Sequence, residues 1–73
     1  MSFYDWLVKK YAGVDNWIGD LAEDAQRDRD FPRALRDREP ILRYLCMKHA
    51  CSGCLEAFKT AFRRYVKSGA AKQ

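Results

Sequence analysis

The chain has 73 residues and 8.5 kDa, of which 48% are hydrophobic and 14% aromatic, with 4 Gly and 2 Pro. That composition excludes a disordered tail, a collagen-like repeat or a second domain, and no apolar run approaches the roughly 20 residues that cross a bilayer. Fourteen Lys and Arg against ten Asp and Glu give a net charge of +4, unevenly spread: residues 1–32 hold four basic against seven acidic side chains, residues 33–73 ten against three.

Helical spacing runs through the chain, and no segment alternates apolar and polar residues for long enough to suggest a strand. Ser2 is placed to cap a first helix, with Asp5 three residues on. Phe3, Trp6 and Leu7 share its inner face, and Gly13 ends it. Asp15 or Asn16 caps a second helix. Its buried stripe is Ile18, Leu21, Ala22 and Ala25, and its outer face carries Asp20, Glu23, Asp24, Arg27 and Asp28.

Pro32 turns the chain after Phe31, a large apolar residue expected to pack back as an anchor. Residues 33–39 read as a charged connector. Pro40 suits the first position of a third helix, with Ile41, Leu42 and Leu45 facing inward and Tyr44 to one side. A break falls between Ala50 and Gly53. The fourth helix then runs to about Lys67 on a stripe of Leu55, Phe58, Ala61, Phe62 and Tyr65, capped by Gly69. Residues 1–69 read as one domain and residues 70–73 as a frayed tail. The expectation is an all-α fold, a compact bundle of four to five helices around aromatic side chains.

Ser2-Phe3-Tyr4-x-Trp6-Leu7, Asp28-x-Asp30-Phe31-Pro32, Ile41-x-x-Tyr44-Leu45 and Phe58-x-x-Ala61-Phe62-x-x-Tyr65 follow in order over residues 2–67. In this order and spacing the chain resembles the YozE family of small bacterial proteins, whose fold is similar to the sterile alpha motif. The resemblance implies a SAM-like bundle of four or five helices. The family is uncharacterised, so the resemblance carries over no catalytic or binding residues. Its last motif has an Ala-Trp pair where this chain has Ala61-Phe62.

Cys46, His49, Cys51 and Cys54 place four donors suited to zinc within nine residues. They straddle one helix junction, however, whereas structural zinc sites draw on separated segments. The competing expectation is that Cys46 and Cys54 are small buried apolar residues, and no metal or other cofactor is expected. Cys51-Ser52-Gly53-Cys54 has the spacing of a redox pair, but outside the βαβ setting in which such pairs usually occur.

Lys59, Arg63 and Lys67 recur every four residues beside Arg64, and Arg33, Arg36, Arg38 and Arg43 extend a basic stripe suited to phosphates or an acidic partner. Tyr11 and Trp17 flank the Gly13 turn, and one of them left exposed would mark a protein-binding surface. Catalysis finds little support. The single His has no nucleophile partner in a recognisable triad, the four glycines are scattered, and a small-molecule substrate is not expected. The sequence therefore reads as a small cytoplasmic, non-catalytic interaction module. It would bind another protein or itself through complementary acidic and basic faces, with nucleic acid as the alternative partner and no membrane.

Overall fold

The Ser2 hydroxyl accepts a hydrogen bond from the Asp5 N–H at 3.2 Å and starts α1, Phe3–Tyr11. A second donor of that first turn, the Phe3 N–H, is taken by the Leu35 carbonyl at 3.1 Å, which ties the later connector across the helix end. A computed structural model describes residues 1–48 and 50–72; His49 and Gln73 lie outside the described residues. Gly13 follows α1 with φ +84°, a left-handed conformation that a residue without Cβ adopts freely. Of the two candidate caps for α2, Trp17–Arg27, the one used is Asn16, whose Oδ1 accepts from the Gly19 N–H at 2.8 Å. α3 spans Arg38–Met47 and α4 Ser52–Lys67, and the described residues contain no strand.

Pro40 is the third residue of α3 rather than its first. The substitution of one turn position for another costs nothing, because the backbone donors of a helix's whole first turn lack intrahelical partners. Residues 70–72 differ from the expected frayed tail. They form a 3-10 turn in which Ala70 is 5% exposed, and its carbonyl accepts from the Met1 amino group at 2.8 Å. Tyr65 donates to the Met1 carbonyl at 2.5 Å, so the two ends of the chain close over α4.

The core is the set of rings that the period put inside. Phe3 is fully buried and its ring centroid lies 5.4–6.0 Å from those of Trp6, Phe58, Phe62 and Tyr65. Ile18, Leu21, Ala22 and Ala25 bring α2 against α1 and α4, while Ile41 and Leu45 are the residues α3 buries. Leu42 and Leu55, expected inside, are only half-buried.

Phe31 is the anchor that the sequence suggested. It is buried, with its ring 5.8 Å from those of Tyr4 and Tyr44. Tyr44 donates a short hydrogen bond to the Asp28 carboxylate, which also accepts from the Asp30 N–H. That bond holds the Asp28 carboxyl below the usual carboxylate range, with Lys48 and Arg33 adding to it. Burial first, then the Asp28 bond and charge, push Tyr44 up to about 12.

The signs follow from linkage. A depressed carboxyl stabilises the fold above its unfolded pKa and stops doing so as pH falls through the folded value. A raised phenol stabilises below about 10 and stops doing so as pH climbs towards about 12. We therefore expect the urea midpoint of Tyr44→Phe to trail the native protein most at neutral pH, with the gap narrowing below about pH 4 and again near pH 11. A gap of constant size across that range contradicts the pairing.

Candidate functional sites

Two concavities of opposite charge sit on different sides of α4. The first is a groove of ≈250 Å³ between α2 and the start of α4. Trp17, Asp20 and Asp24 come from the outer face of α2, and Cys51, Gly53 and Cys54 from the α4 cap and first turn. Asp20 and Asp24 are one turn apart because four residues return a helix to the same side. Trp17, the first residue of α2, is 50% exposed. Its ring is exposed apolar surface at a groove that also carries two carboxylates. Its counterpart Tyr11 has a structural role: it is half-buried, packs edge-on against Trp6 with ring centroids 5.7 Å apart, and accepts from Arg64 at 3.1 Å.

The second concavity, ≈220 Å³, lies between the start of α3 and the middle of α4 and is lined by Arg38, Lys59, Phe62 and Arg63. Arg38 has Glu39 at 2.7 Å and Lys59 has Glu56 at 3.6 Å, both exposed pairs of the kind worth a few tenths of a kcal/mol. Arg63 has no carboxylate within ion-pair distance among the described residues. Helix geometry places Cys54 and Arg63 about 180° apart around α4, and no residue lines both concavities.

The basic stripe is thus split. Lys59 and Arg63 converge with Arg38, while Arg43 and Lys67 stay exposed and line neither concavity. Arg33 stacks 4.7 Å over the Tyr4 ring and donates to the Gln26 carbonyl. Arg36 donates to the Ala71 carbonyl at 3.3 Å, and Arg64 is held by Tyr11. Three of the eight cations of the stripe, Arg33, Arg36 and Arg64, accordingly brace the fold. Arg38 reads in sequence as an extension of the stripe, whereas its approach to Lys59 and Arg63 depends on how α3 packs on α4.

The cysteines depart from the expected burial. Cys46 and Cys51 are exposed and Cys54 is half-buried; all three are free thiols. Cys51 caps α4, its Sγ accepting from the Cys54 N–H at 3.3 Å. Burial pushes the Cys54 thiol up, with Cys51 and the Asp24 carboxylate adding to it. Among the described residues no three of His, Cys, Asp or Glu are placed to hold a metal ion, and the His49 member of the candidate zinc set lies outside them.

Among the described residues no helix is long and apolar enough to cross a membrane. The family model described as the YozE SAM-like fold matches residues 2–67, and the chain belongs to that family. No curated protein and no solved structure matches it.

Proposed function

We propose that this YozE-family chain is a non-catalytic interaction module of the cytoplasm that binds a second copy of itself head to tail, acidic groove against basic cleft. The observation that carries the reading is the separation of Asp20, Asp24 and the exposed Trp17 from Arg38, Lys59 and Arg63, on opposite sides of one helix. Each patch repels its own copy and attracts the other, so the contact is heterologous and leaves one free patch at each end of a pair. An indole beside two carboxylates supplies buried area at the centre and charge at the rim, which is how tight contacts are built.

Light scattering across a concentration series tests it. At low ionic strength the mass rises with concentration past that of a dimer. At about 0.5 M salt, where the Debye length is short, it falls back to one chain. A one-chain mass at every concentration and both ionic strengths overturns the reading. The alternative occupant of the basic cleft is a nucleic-acid backbone, supported by the same three cations. It would give a mobility shift that weakens steeply with salt while the protein alone stays monomeric.

A further inference from the structure

The geometry points to Cys51 and Cys54 as a redox-active dithiol that closes to a disulfide across the first turn of α4. The pair is already in register. Cys51 is the cap and Cys54 the third helical residue, joined by the N–H to sulfur hydrogen bond at 3.3 Å. Helix geometry puts α-carbons three residues apart at about 5 Å, inside the 4.4–6.8 Å window of natural disulfides, and the Cys51 sulfur already lies against the Cys54 backbone. The sulfurs also open onto the groove walled by Trp17 and Leu21, which gives a small thiol compound somewhere to sit.

Exposure divides the roles. Cys51 is open to solvent, and its sulfur accepts the Cys54 N–H. Cys54 is half-buried beside Asp24, whose charge opposes a second thiolate. The Cys51 thiolate attacks one sulfur of a small-molecule disulfide, forms a mixed disulfide and releases one thiolate. Cys54 then gives its proton to solvent and attacks Cys51 Sγ, expelling the second thiol. The protein loses two hydrogens and the small disulfide becomes two thiols. Cys46, exposed on α3 and outside the groove, takes no part. The inference concerns one chain, and because both cysteines line the groove proposed for the self-contact it is read on the dilute monomer.

The test equilibrates the Cys46→Ser chain with reduced and oxidised glutathione, quenches with acid and alkylates the remaining thiols before intact-mass measurement. The expected product is about 2 Da lighter than the dithiol and resists alkylation. Adding Cys54→Ser instead leaves one glutathione on Cys51. In native buffer the equilibrium constant for closure exceeds that in concentrated urea by about tenfold, because the folded turn holds the sulfurs together. Two retained glutathiones without closure, or an equilibrium no more favourable folded than unfolded, overturns the proposal.

Discussion

Phe3→Ala is expected to destabilise the domain by about 3–5 kcal/mol, the range for emptying a fully buried aromatic site. A domain of this length has roughly 4–11 kcal/mol in total. The loss is therefore a large part of the total, and the whole of it at the lower end of that range. Phe3 contacts four rings drawn from α1 and α4, and its backbone N–H also holds the Leu35 connector. Neighbouring rings are too large and too constrained to collapse into the space, so most of the cavity cost persists. Urea unfolding followed by far-ultraviolet circular dichroism measures this. A loss below about 1 kcal/mol would mean that the ring is not the centre of the core.

Gly19→Ala is expected to cost about 2 kcal/mol or more, although alanine is the better helix former by about 1 kcal/mol. A β-carbon at Gly19 would lie 1.8 Å from the Val14 carbonyl oxygen, 2.8 Å from the Val14 carbonyl carbon and 3.2 Å from the Tyr11 carbonyl oxygen. All three are backbone atoms of the α1–α2 turn, which is held by Val14 N–H to Tyr11 and Asn16 N–H to Val14 hydrogen bonds. They cannot rotate aside as a side chain would. Gly53→Ala is the counterpart, at the second residue of α4, where the nearest atom is 3.9 Å away. It is expected to stabilise by up to about 1 kcal/mol. Thermal melts of both variants check the pair, and Gly19→Ala raising the midpoint would contradict the close turn-to-helix approach.

That contrast shows what the sequence makes legible and what it does not. The three-and-four spacing of Phe3, Trp6, Leu7, Ile18, Leu21, Ala22, Ala25, Phe58, Ala61, Phe62 and Tyr65 identifies buried faces directly, and all eleven are buried. Burial and period are properties of one helix. The reason for Gly19 is a backbone from another segment, which the period of α2 does not show. The same applies to the candidate sites. Asp20 and Asp24 are plainly on an outer face, yet their meeting with Cys51 and Cys54 depends on how α2 packs on α4. Tyr11 and Trp17 are equivalent by position beside Gly13, and only the packing of Tyr11 edge-on against Trp6 separates it from the exposed Trp17. Lys59 and Arg63 were visible as a stripe, whereas the bracing of Arg33, Arg36 and Arg64 was not.

Opposite charge on two patches is common on small surfaces, so self-association through these two needs a measurement that names both. One chain carries Asp20→Asn with Asp24→Asn, which neutralises the groove and leaves the basic cleft intact. The other carries Arg38→Gln with Arg63→Gln, which does the reverse. Each alone is expected to stay at 8.5 kDa in sedimentation at low salt up to about 1 mM. An equimolar mixture is expected to form a species of two chains and no larger, since each partner has one working patch and the chain of contacts stops at the pair. A mixture that sediments as two independent monomers, under conditions where the unaltered protein grows with concentration, would contradict the groove-to-cleft contact.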